Sequence, residues 1–202
     1  MPADPQRTMP ERAEHLFRAI SSERFLQRQG LGNEVPFFIA PFNPADAVEM
    51  IVVIRNLIHR LGRTGVGVLE INLYDLCAEL LEERGLLERI IENETEWSRD
   101  QLKELLQGVL DPEHHLVPAI ARKMSDAQFD VMFLTGVGEI YPYIRSHTIL
   151  NNLQSTAKDQ PTVMFFPGTY THTLEKGASL DLFGRLHDDK YYRAFNIDFY
   201  EA

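Results

Sequence analysis

Residues 133–147, FLTGVGEIYPYIRSH, hold the spacing in this chain that comes nearest to ligand chemistry. Gly136 and Gly138 follow an apolar run, and Glu139, Tyr141, Arg145 and His147 come after them. A glycine turn between a strand and a helix can aim backbone N–H groups at an anion. The positive helix end and an arginine would add to the attraction. The same glycines also suit a turn that side chains would block. The dinucleotide fingerprint G-x-G-x-x-G needs a third glycine at position 141, where this chain has Tyr. The spacing therefore favours a structural turn that presents a contact surface, with anion or nucleotide binding as the alternative.

The other candidates are weaker. In a parallel α/β fold, ligands bind beyond the carboxyl ends of the strands. APFNPAD, residues 40–46, stands where a Walker A loop would follow the first strand, but it has no glycine and no lysine. Pro41 and Pro44 also lack the N–H donors such a loop needs. A third turn, FFPGTYTHT at 165–173, contributes Gly168 and Tyr170 to the candidate surface. Cys77 lies at a strand-to-helix junction, where a helix N-terminus could lower its pKa, yet its neighbours are apolar and read as core. His114 and His115 are adjacent and so point apart on a helix, while His147 and His172 stand alone. HDD at 187–189 reads as a solvated turn, and Glu82-Glu83 as solvated helix charge. Ser146-His147 adjacency does not make a triad. No catalytic residue, metal site or cofactor is expected.

The elements that must position these residues follow from periodicity. Residues 1–10 carry three prolines and read as loose, leaving 11–202 as a single domain. Residues 11–30 read as a helix stopped by Gly30. VPFFIAPF is a buried strand. Asn43, Pro44 and Asp46 then start a helix to Gly62. That helix is apolar on more than one face, which predicts deep packing against a sheet. Residues 65–76 read as a second strand, with a change of role near Asn72. Residues 77–126 read as a helical insertion, and SRDQ at 98–101 forms a capping box inside it. FDVMFLTGVGE is a third strand and PYIRSHTILNNLQS the helix after it. QPTVMFFPGTYTHT is a fourth strand ending in Pro167-Gly168, and YYRAFNIDF a weak last one. Strands alternating with helices predict an α/β domain: one layered unit with a mainly parallel sheet of about five strands, similar to a P-loop-type fold without a Walker A.

Composition narrows the function classes. The chain has 202 residues and a formal net charge of -10. That charge gives no general attraction to nucleic acid or anionic membrane, and no Lys/Arg-rich run offsets it. A single cysteine makes no internal disulfide, which fits a reducing cytoplasm. No apolar run of about 18 residues is present to span a membrane, and the N-terminus lacks a signal-peptide core. Aromatics cluster late: Tyr141, Tyr143, Tyr170, Tyr191, Tyr192, Phe195, Phe199 and Tyr200. Tyr and Phe are enriched in interface cores, so a protein partner would account for those not needed inside.

Five segments, VPFFIAPFNPADA, VLEINLYDL, FLTGVGEIYPYIRSHTILNNLQ, VMFFPGTY and LFGRLHDDKYYRAFNI, together resemble the BrxB family of BREX (bacteriophage exclusion) systems. The resemblance runs from about residue 10 to the end. It implies a role in antiphage defence, in systems that methylate host DNA and block replication of unmethylated phage DNA. It further implies an accessory, non-catalytic member that scaffolds other BREX proteins. The phosphatase-like PglZ is the foremost expected partner, with the methyltransferase or the ATPase as others. The family brings no catalytic residues to carry over.

Overall fold

The structure, a computed structural model, describes residues 7–29, 36–93, 95–173, 177–183, 186–189 and 194–201. The chain opens with α1 (Met9–Ser21) and α2 (Glu23–Leu26). Ser22 separates them: its hydroxyl donates to the Ala19 carbonyl and accepts from the Phe25 N–H. The expected 11–30 helix is thus two helices. It starts two residues earlier than expected, because Thr8 and Glu11 form a capping box around Pro10. The expected stop Gly30 and the aromatics Tyr191 and Tyr192 lie outside the described residues, as does the side chain of His172.

Five strands form the parallel core: β1 (Phe37–Phe42), β2 (Val68–Asn72), β3 (Val131–Thr135), β4 (Thr162–Thr173) and β7 (Phe195–Asn196). Their order is β2-β3-β4-β1-β7, all parallel. β4 does not end at Pro167-Gly168 as expected. It runs on and pairs antiparallel with β5 (Gly177–Leu182), which pairs with β6 (Leu186–Asp189). The expected turn at 187–189 is therefore strand backbone, since β6 pairs antiparallel with β5 and β5 with the continuation of β4.

Alternation along the central strands builds two cores. Phe37 and Ile39 of β1, Met132 and Leu134 of β3, and Met164 and Phe166 of β4 face one side. Phe38, Ala40, Val131, Phe133, Val163 and Phe165 face the other. This period of two explains why β1 and β3 are buried at every residue: helices cover both faces. On the second face lie α1 and α3 (Ala47–Arg63), which buries Met50, Ile54, Leu57 and Leu61 at helical spacing. Each such side chain contributes roughly 1.5–3 kcal/mol through burial.

The first face carries α4 (Leu73–Glu83), α5 (Leu87–Asn93), α6 (Arg99–Val109), α7 (Val117–Ser125) and α8 (Ser146–Leu153). The helical insertion thus begins at Leu73, not Cys77. The expected strand 65–76 stops at Asn72, whose side-chain oxygen accepts from the Tyr74 and Asp75 N–H groups and caps α4.

Right-handed crossovers fix which face each connection uses. The chain leaves β1 toward β2 over α3. It returns from β2 through β3 to β4 in the opposite direction, so those helices take the other face. β4 and β1 are neighbours whose connections leave to opposite sides, and a crevice opens between their carboxyl ends. Near that end, Arg12 donates to the Pro41 carbonyl and lies 3.3 Å from Asp198, joining the N-terminal helix to β1 and the C-terminal turn. Burial pushes the Asp198 carboxyl above its usual range and lowers Arg12, despite their mutual attraction.

Candidate functional site

The crevice at the carboxyl ends of β1, β3 and β4 holds a cavity of about 520 Å³. One wall is α3, through Met50, Ile51 and Ile54. The floor is Phe42 and Phe165, and the opposite wall is Pro167, Phe183 and the 136–139 turn. Pro44 at the start of the α3 segment also lines it, where Asn43 caps a single helical turn by accepting from the Ala45 N–H.

Polar groups also line the cavity. Thr135 Oγ1 donates to Glu70 Oε1 at 3.1 Å, across the β2–β3 pair. Glu70 and Glu139 both line the cavity, and Arg55 is the single basic side chain lining it among the described residues. Asp46 and the exposed Glu49 stand beside α3's first turn. The electrostatic balance is acidic, which opposes an anionic ligand.

The expected site residues divide sharply. Gly136, Gly138 and Glu139 line the cavity. Gly136 has φ +70, and a Cβ there would lie 2.2 Å from Asn72 Oδ1, the atom that caps α4. At Gly138 a Cβ would meet Pro167 at 2.8 Å and the Phe183 ring at 3.2 Å. Packing alone thus requires both glycines, which is the structural side of the two readings. Tyr141 is half-buried and meets Phe183 edge-on, with ring centroids 6.4 Å apart.

Arg145 is exposed and precedes α8, which starts at Ser146 and not near Pro142 as expected. The glycine turn and the helix end that an anion cradle would combine are therefore separated by residues 139–145. His147 and Tyr170 are buried, so neither presents a side chain to a partner. Tyr170 donates its hydroxyl to the Ala194 carbonyl, and burial raises its pKa to about 12. Gly168 lies where β4 passes from pairing with β1 to pairing with β5, and a Cβ there would strike the Asp181 carbonyl oxygen at 2.1 Å.

No other candidate gains a role. Cys77 is buried within α4, and desolvation pushes its thiol to about 12, leaving it neutral and unreactive. Exposed His114 pairs with Asp111 at 2.7 Å, and hydrogen bonding to that carboxylate raises its pKa. Among the described residues, no three His, Cys, Asp or Glu side chains are grouped to hold a metal ion, and no helix is long and apolar enough to cross a membrane.

The sequence reading missed Ile51, Arg55, Glu70, Asn72 and Phe183. One signal was available. α3 was expected to bury more than one apolar face, yet Val48 is 79% exposed and Ile51 and Val52 are each 51% exposed. These residues sit at i, i+3 and i+4, one strip of the helix beside the cavity mouth. The surplus apolar positions mark a surface, not a second buried face.

Fold and site together define a parallel α/β protein with an acidic-rimmed apolar cavity at its topological switch point. The comparisons with known proteins fix the family. The family described as BREX protein BrxB matches residues 69–197. A BREX protein BrxB from Bacillus cereus (strain H3081.97) is 36% identical over 95% of this chain and 98% of its own length. A BREX protein BrxB from Escherichia coli O9:H4 (strain HS) is 30% identical over 88% of this chain and 86% of its own. The chain belongs to the BrxB family of BREX phage-defence systems. No solved structure matches it.

Proposed function

We propose that this chain is a non-catalytic adaptor in a BREX complex. It scaffolds other components, PglZ foremost and then the methyltransferase or ATPase, in host DNA methylation and phage restriction. The observation that carries the reading is the strip of Val48, Ile51 and Val52, exposed on α3 and continuous with an apolar cavity. Contiguous exposed apolar surface marks interaction sites on soluble proteins. Among the described residues lining the cavity, the one hydroxyl beside a carboxylate is Thr135 Oγ1, which donates to Glu70, and no histidine, lysine or cysteine lines it to activate that hydroxyl.

The test is affinity purification of tagged protein from cells carrying the whole defence locus, with mass spectrometry of what accompanies it. Stoichiometric recovery of PglZ or the methyltransferase is expected. Recovery of the protein alone would overturn the reading. The alternative, a nucleotide- or anion-binding regulator, is favoured by the cavity's position at the strand ends. It requires that millimolar nucleotide raise the melting temperature by mass action. The acidic rim argues that it will not.

A further inference from the structure

The geometry points to the cavity and the α3 strip as a docking groove for a basic, apolar segment of a partner protein. This inference rests on the adaptor reading and names the chemistry of what the adaptor holds. Three observations converge.

The first is shape. About 520 Å³ lies within the range of real ligand cavities and is ample for bulky side chains. The apolar surface does not stop at the mouth. It continues along α3 through Ile51 and Val52 to Val48, farther than a small molecule filling the cavity would cover. A chain that inserts anchor side chains and lies along the helix covers both.

The second is charge. Glu70 and Glu139 line the cavity, and Asp46 and Glu49 flank α3's start, against Arg55 alone among the described lining residues. Complementarity selects Lys or Arg beside the anchors and disfavours an acidic segment.

The third is strain. Phe183 has φ +55, a conformation that bulky L residues rarely adopt. Its backbone N–H is held by the Pro167 carbonyl at 2.9 Å. The ring is 39% exposed and forms a wall of the cavity. Strained backbone that aims an aromatic ring at a cavity is a feature of binding sites.

The test uses a phage-displayed library of short random peptides, selected on the full-length protein. The recovered peptides should carry net positive charge with aromatic or aliphatic anchors. Synthetic versions should bind roughly tenfold or more weakly to Val48→Glu/Ile51→Glu and to Glu70→Lys/Glu139→Lys, the loss expected when central contacts are removed. Binding should also weaken with salt. Val48 and Ile51 are exposed enough that the first pair keeps its fold, which circular dichroism verifies. Phe183→Gly relieves the backbone but also removes the ring's edge-on packing against Tyr141, so its fold is verified by circular dichroism, and it should bind the peptides more weakly.

Acidic or neutral peptides, or equal binding to the charge-reversed pair, would overturn the inference. The same variants then enter the locus purification. If Val48→Glu/Ile51→Glu recovers BREX proteins at wild-type stoichiometry, the groove is not the docking face, while the adaptor reading stands. If the wild type itself recovers none, the adaptor reading falls, and the peptide selection alone still decides what the groove binds.

Discussion

Gly136→Ala separates a structural glycine from a ligand-cradling one. The new Cβ would lie 2.2 Å from Asn72 Oδ1 and 3.1 Å from the Tyr74 nitrogen. Both atoms belong to the α4 cap, where Asn72 accepts from Tyr74 N–H at 2.9 Å and Asp75 N–H at 3.3 Å. Forcing Ala to φ +70 costs roughly 1–2 kcal/mol. Displacing the cap adds about 1 kcal/mol. The sum, roughly 2–3 kcal/mol, lowers Tm by about 4–12 °C for a chain of this size.

Urea denaturation of four proteins measures it: wild type, Gly136→Ala, Asn72→Ala and the double variant. With Asn72 already truncated, the 2.2 Å collision is gone, and the φ penalty and the 3.1 Å approach to the Tyr74 nitrogen are left. The cycle should therefore show coupling of about 1 kcal/mol. Gly62→Ala serves as the control, because a Cβ there meets nothing within 4 Å. Gly62 lies inside α3, so Ala should stabilise by up to about 1 kcal/mol. If Gly136→Ala were as harmless as Gly62→Ala, or if the two costs simply added, packing would not be the reason for the glycine. The anion-cradle reading would then recover.

Three further predictions concern buried groups. Cys77, with its thiol near 12, should be about one part in ten thousand ionised at pH 8 and should react with a disulfide reagent only after denaturation. Rapid reaction of the native protein would contradict its burial. Tyr170→Phe should cost about 1–2 kcal/mol by leaving the Ala194 carbonyl unsatisfied, with recovery of partners unchanged. Lost recovery in a variant that stays folded would refute the buried, structural role. For Asp198, whose folded-state pKa is raised by burial, the contribution to stability is fully present below the unfolded value of about 4. It is lost as pH rises through the folded value. The stability of wild type relative to Asp198→Asn should fall with rising pH over that window, and a difference that grows with pH would show the Arg12 attraction winning over desolvation.

Local rules carried much of the fold in the sequence. β1 and β3 read directly as short apolar runs bounded by turn residues. Asn43-Pro44 marked the start of the α3 segment, and Ser98 with Gln101 marked α6, because caps and proline act within one helical turn. Gly136 and Gly138 also declared a turn after β3, since glycine marks turns locally, although the contacts that exclude a side chain at each come from distant residues. The resemblance of five segments to BrxB needed no coordinates.

Tertiary structure decided the rest. That β4 lies between β3 and β1, and so opens a crevice beside β1, depends on pairings between residues more than a hundred positions apart. No local periodicity encodes them. Pro167-Gly168 looked like a strand end because both residues interrupt an ordinary ladder. Only the partner strand β5, approaching Gly168 closely, lets β4 continue through them. Tyr170 read as surface because aromatic residues suit interfaces, and His147 because it follows the glycine turn, but both side chains are buried. On α3, sequence counted the apolar residues and only packing chose among them: the sheet takes Met50, Ile54, Leu57 and Leu61, and one helix face can meet one sheet. Val48, Ile51 and Val52 are left facing water beside the cavity, and they become visible as a site only once the strands that form its floor are in place.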